Sequence, residues 1–127
     1  MANISSSTGL PATSASGRLA QTHSTTVGGN GVVVGTVPSN KLWTDLIVYV
    51  TNRSGASAGV EVAALDSNLA SDVADEDWLT GVITMQSAGS GTSLSLDIRT
   101  LAAGESVLLR TDTSGVSCAV FGNQVDR

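Results

Sequence analysis

TDLIVYVTN, residues Thr44–Asn52, is a run of β-forming side chains bounded by polar residues. Branched and aromatic residues favour extended backbone, and successive side chains on a strand point to opposite faces. Leu46, Val48 and Val50 therefore share one face, with Ile47, Tyr49 and Thr51 on the other. Both faces carry apolar groups, which predicts a strand covered on both sides. Downstream, Ser54–Ser57 reads as a turn and Ala58–Leu65 as the returning strand. Leu79–Gln86 is a further strand, followed by a turn at Gly89-Ser90-Gly91. Ser93–Arg99 then alternates, with Leu94, Leu96 and Ile98 inward. Glu105–Asp112 and Gly115–Gly122 read as a closing hairpin about Thr113-Ser114. Upstream, Val32–Val37 is a β-branched strand stopped by Pro38, which lacks the N–H a central ladder needs. Short strands separated by turn signals, with no helices between them, predict an all-β fold. The expected form is an antiparallel, jelly-roll-like β-sandwich over residues 32–127.

The first 31 residues differ. Ser, Thr, Ala and Gly dominate, and Arg18 is the only formally charged side chain. Such a segment buries too little apolar surface to offset its own ordering entropy. Two readings stay open: a disordered tail, or an extended arm that orders against a neighbouring subunit. The arm reading has sparse anchors in Ile4, Leu10, Pro11 and Leu19. Gly28-Gly29-Asn30-Gly31 has no P-loop lysine and precedes a strand, so it reads as a turn.

The chain has 127 residues, a single-domain length, with 41% hydrophobic, 13% charged and 3% aromatic residues. That aliphatic content excludes a typical disordered chain. A net charge of −5, with six scattered Lys and Arg, argues against binding a phosphate backbone, so no nucleic-acid partner is expected. No apolar stretch is long enough for a spanning helix, and Met1–Leu10 lacks the features of a signal peptide. The expectation is a chain made in a cytoplasm with no membrane partner. A core of small aliphatics buries little area per residue, and subunit association would supplement it. The single Cys118 excludes an intrachain disulfide and reads as a buried, inert thiol.

Asp66–Trp78 (DSNLASDVADEDW) interrupts the strand pattern with five of the eleven acidic residues. It reads as a long loop or as a short helix capped by Ser71 or Asp72, with Trp78 pinning it to the sandwich. It lacks the ligand spacing of an EF-hand, and one His with one Cys cannot close a zinc site. His23 lies in the low-complexity segment, a poor place for a pre-organised catalytic base. Four aromatics leave little for sugar stacking in a glycosidase cleft. Neither an enzyme nor a cofactor is expected.

Several stretches in order carry a resemblance. They are Gly17–Gln21 (GRLAQ), Thr36-Val37-Pro38, Lys41–Arg53 (KLWTDLIVYVTNR), Leu101–Leu109 (LAAGESVLL) and Gly115–Gly122 (GVSCAVFG). Together they resemble the small all-β virion proteins of tailed bacteriophages, most of all the capsid decoration, or cement, proteins. The resemblance implies a homotrimer on the outside of a phage head, with the major capsid protein as partner. It carries no catalytic residues. Under it, the contacts expected with a partner are Ile4, Leu10, Pro11, Arg18 and Leu19 of the arm and Asp75, Asp77 and Trp78 of the acidic loop. Tail, neck and fibre components share the pattern, which keeps a structural subunit or a receptor- or glycan-binding module open as the alternative.

Overall fold

Apolar alternation at so many strands leaves the chain one economical solution, two sheets with their aliphatic faces together. The computed structural model describes residues 14–88 and 90–127. Its strands are β1 (Ser14–Ser24), β2 (Val32–Thr36), β3 (Lys41–Asn52), β4 (Ala58–Leu65), β5 (Ile83–Met85), β6 (Ser93–Ile98), β7 (Leu101–Ala102), β8 (Ser106–Thr111) and β9 (Val116–Asp126). A first sheet has the order β1-β9-β3-β6, with β7 also beside β3; a second has the order β2-β8-β4-β5. Every pairing is antiparallel. The chain changes sheet at almost every connection, and β6 and β7 both pair with β3. This is the connectivity of a jelly roll, a double-sheet antiparallel sandwich.

Between the sheets lies an aliphatic core. Leu46, Val48 and Val50 of β3 meet Val60 and Val62 of β4, Val107 and Leu109 of β8, and Val116, Cys118 and Val120 of β9. Each is at most 2% exposed. Full burial of one Val or Leu stabilises by roughly 1.5–3 kcal/mol, so the alternation itself drives sheet closure. Trp43 is the aromatic ring of this cluster, and its indole N–H donates to Gln124 Oε1 at 2.9 Å.

The expected closing hairpin does not form. β8 lies between β2 and β4, and β9 lies between β1 and β3. Each is already paired on both sides, so the link between them carries the chain from one sheet to the other. Ser54–Ser57 does the same between β3 and β4. There the buried Asn52 holds the corner: its Nδ2 donates to the carbonyls of Ala56 and Gln86 (2.7 and 3.1 Å), and its Oδ1 accepts from Ser54 N and Oγ.

The boundary expected at residue 31 also moves. Ser14–Ser24, read as part of the arm, is β1, paired with β9 from Ser14↔Val125 to Ser24↔Val116. Backbone ladders need no apolar side chains, so β9 can hold a strand as polar as SASGRLAQTHS. A bulge at Leu19 breaks the alternation that would have marked it. Leu19 and Ala20 pack on the core. A Cβ added at Gly35 of β2 would lie 2.3 Å from that of Ala20, so glycine permits the close β1–β2 approach. Ile4, Leu10 and Pro11 lie outside the described residues.

Leu79–Gln86 contributes a strand only at Ile83–Met85. Before it, Leu79 and Val82 are exposed, at 42% and 67%. The acidic segment holds two single-turn 3-10 helices, Ala70–Asp72 and Asp75–Asp77. Neither Ser71 nor Asp72 is a cap; the residues before the turns are Leu69 and Ala74. Asp77 Oδ2 accepts the Ala74 N–H at 2.8 Å and closes the second turn.

Candidate interaction surface

The two sheets turn very different outer faces to their surroundings. On the second sheet, Ala63, Leu65 and Leu108 form a buried outer cluster with Val33, Ala70, Val73 and Trp78. The acidic segment therefore covers this face. Trp78 anchors it through a backbone bridge to Ala63, and the Arg110 guanidinium carbon sits 4.1 Å from its ring centroid. Glu61 pairs with that Arg110 at 2.7 Å.

The first sheet has no such cover among the described residues, contrary to the expectation that β3 is buried on both sides. Register places its outer side chains in three rows across β1, β9, β3 and β6. One row runs Arg18, Phe121, Ile47, Asp97. The next runs Gln21, Ala119, Tyr49, Ser95, and the third runs His23, Ser117, Thr51, Ser93. Tyr49 (44% exposed) and Phe121 (36%) meet edge to face, with ring centroids 5.4 Å apart. His23 Nδ1 and Ser117 Oγ are 2.8 Å apart. Beside them is an open depression of about 430 Å³ lined by Gln21, His23, Tyr49, Thr51 and Ser117.

Charge is divided across this face. Arg18 stands on the edge strand β1, and Asp97 stands on the opposite edge strand β6. Asp45, at a β3 bulge with φ 53°, lines a second depression with Asp97 and accepts from Asn123 Nδ2 at 3.0 Å. Three other cations are paired: Lys41 with Asp126, Arg99 with Glu105 and Asp66, Arg110 with Glu61. Among the described residues Arg18 and Asp97 make no ion pair.

Two carboxyls off this face titrate low. Burial pushes Glu105 up, but the Ala102 N–H and the Arg99 guanidinium outweigh it and hold Glu105 below its usual range. Asp112 is held low by the Gly59 N–H at 2.7 Å and the Thr113 hydroxyl. The Cys118 thiol, on the inner face of β9, is pushed up to about 12 by burial. Among the described residues no group of three or more His, Cys, Asp or Glu is placed to hold a metal ion. No described helix is long and apolar enough to cross a membrane.

The contact residues expected from sequence are thus separated. Arg18 is on the open face of the first sheet, and Leu19 beside it turns to the core. Asp75, Asp77 and Trp78 lie across the sandwich on the second sheet, where Asp77 and Trp78 already serve the fold of their own segment. Phe121 was missed because its place beside Ile47 is set by register, which no local pattern reveals. Ile47 and Tyr49 were legible as a second apolar face of TDLIVYVTN.

No protein-family model matches the chain, and no curated protein matches it. Among solved structures it is similar to the coat protein of Tobacco streak virus, with 13% identity and a TM-score of 0.49, covering 95% of this chain and 91% of that one.

Proposed function

We propose that the protein is a structural subunit of a virus particle, a capsid decoration protein that binds the outside of a phage head and braces contacts between major capsid subunits. The observation that carries this reading is the contrast between the sheets: a jelly roll shields one outer face with its own loop and leaves the other, apolar at its centre, without a cover among the described residues. Jelly rolls also build lectin and cupin domains, so the fold alone does not choose between them. The resemblance of LAAGESVLL, KLWTDLIVYVTNR and GVSCAVFG to phage virion proteins supports the virion.

Residues 1–13, continuing from the edge strand β1, carry Ile4, Leu10 and Pro11 to a neighbouring capsid subunit. Asp75 of the acidic loop, exposed and with no side-chain hydrogen bond or ion pair among the described residues, offers a second contact. A ligand that binds only the assembled head stabilises that state by mass action, which raises resistance to heat and internal pressure. The resemblance implies trimers on the head. Purified protein mixed with decoration-free heads is expected to bind saturably and raise their disruption temperature. Deletion of residues 1–13 should abolish this with the melting temperature of the free protein unchanged. No binding at micromolar protein overturns the reading.

One observation favours a second reading, a tail or fibre module that binds a receptor glycan: the exposed Tyr49 ring borders the depression beside His23. Binding to host cells that is lost in Tyr49→Ala, without binding to heads, would select it.

A further inference from the structure

The outer face of the first sheet has a symmetry of its own. Reading each row from β1 to β6, the residues that mirror one another about the midline between β9 and β3 are compatible in charge, apolar character or size. In the first row Arg18 mirrors Asp97, and Phe121 mirrors Ile47. In the second, Gln21 mirrors Ser95, and Ala119 mirrors Tyr49. In the third, His23 mirrors Ser93, and Ser117 mirrors Thr51.

We propose that this face binds a second copy of the same chain, packed sheet to sheet about a two-fold axis parallel to the strands. Such an axis exchanges β1 with β6 and β9 with β3, so every mirrored pair becomes a contact. Arg18 of each copy meets Asp97 of the other, twice over, and Asp45 adds to the negative end. Each Tyr49 ring settles over the small Ala119 of the other copy, and Phe121 packs on Ile47. Isologous contacts require this self-complementarity, in which residue i meets j and j meets i. A three-fold contact instead joins two different patches and would leave the matching unused. Arg18 and Asp97 make no ion pair among the described residues, and their places on opposite edge strands of one face supply the charge complementarity.

The four strands span about 14 Å between outer axes, so the patch is at the small end for a specific interface. A dissociation constant on the order of 10–100 μM is expected. The contact is a property of the isolated protein and does not rest on head binding. On a particle it would link subunits in twos, including subunits of neighbouring trimers.

Sedimentation equilibrium of the full chain over a range up to several times that constant tests it. Wild type is expected to pair reversibly, and less so at high salt. Arg18→Asp and Asp97→Arg each place like charges together twice and should weaken pairing by about tenfold or more. The double variant R18D/D97R restores opposite charges and should return pairing to within about threefold of wild type, in keeping with a coupled pair. Melting curves that match wild type keep these results apart from unfolding. A strictly monomeric wild type, an association indifferent to both single reversals, or failure of the double variant to rescue overturns the proposal. Loss of head binding with pairing intact counts against the decoration reading alone.

Discussion

The outer faces of the two sheets are built from the same alternation but end differently. On the second sheet, the outward Leu65, Ala63 and Leu108 are covered by a loop that spends Trp78 and Asp77 on holding itself in place. On the first, the outward Ile47, Tyr49 and Phe121 keep a substantial part of their surface in solvent. An apolar strand face needs a cover, and among the described residues the chain supplies one only for the second sheet. The uncovered sheet is the one whose edge strand continues into the N-terminal residues. Intramolecular stability is thus concentrated on one side of the sandwich and the capacity for contact on the other.

The largest expected effect concerns that edge strand. Deleting residues 1–24 removes β1, uncovers one side of β9 and strips Leu19 and Ala20 from the core. Cooperative unfolding should be lost or its midpoint lowered by several kcal/mol, given about 2–5 kcal/mol for a single buried Leu-to-Ala change. Deleting residues 1–13 leaves the ladder whole, and urea denaturation should match wild type. If both deletions behave alike, β1 is not part of the sandwich in solution.

Next is a direct contrast between the faces. Trp78→Ala removes the ring between Arg110 and the Ala63–Leu65–Leu108 cluster, and should cost about 3 kcal/mol. Tyr49→Ala on the open face removes a half-exposed ring and one edge-to-face contact, worth about 1 kcal/mol. Both come from the same denaturation experiment at a protein concentration low enough to exclude association. Equal losses would mean that the first sheet is covered too, and the contrast would fail.

A smaller effect separates the sheets by pH. Glu105 and Asp112 flank β8 of the second sheet, and both titrate below their ordinary values of 4.5 and 3.8. A carboxyl whose folded pKa is depressed adds stability that is present above its unfolded pKa and lost as pH falls through the folded one. Glu105→Gln should therefore melt below wild type at pH 7, by roughly 1 kcal/mol after solvent screening. That gap should close as pH drops below 4.5. A gap that does not narrow at all as the pH falls below 4.5 would assign the loss to packing rather than charge.

How much of this was legible depends on which forces write themselves into local sequence. Burial does: Leu46, Val48 and Val50 announced an inward face, and Leu94, Leu96 and Ile98 another. Ladder pairing does not, since β9 holds β1 through backbone groups common to every residue, and SASGRLAQTHS reads locally as a tail or an extended arm. Sheet assignment is also invisible locally, because Thr113-Ser114 suits a hairpin as well as a crossing. Only the count of partners around β8 and β9 decides. The candidate surface was half legible for the same reason. Tyr49 and Ile47 could be seen on one strand, but the rows that join Arg18 to Phe121 and Asp97 exist only once three registers are fixed.

The smallest effect tests whether the open face is also a loose one. Cys118 points inward from β9, directly beneath that face, with Ser117 and Ala119 outward on either side. Burial raises its thiol to about 12, so at pH 8 almost none is thiolate, the form that reacts. Iodoacetamide should leave native Cys118 essentially unmodified and alkylate it promptly in urea. Reaction then reports opening of the β1-β9-β3 layer, and Tyr49→Ala should change its rate little, because the ring lies on the far side of the sheet. Alkylation of the native protein at the rate of a free thiol would show that the first sheet opens readily, and that its bare face reflects weak local structure rather than a surface kept for a partner.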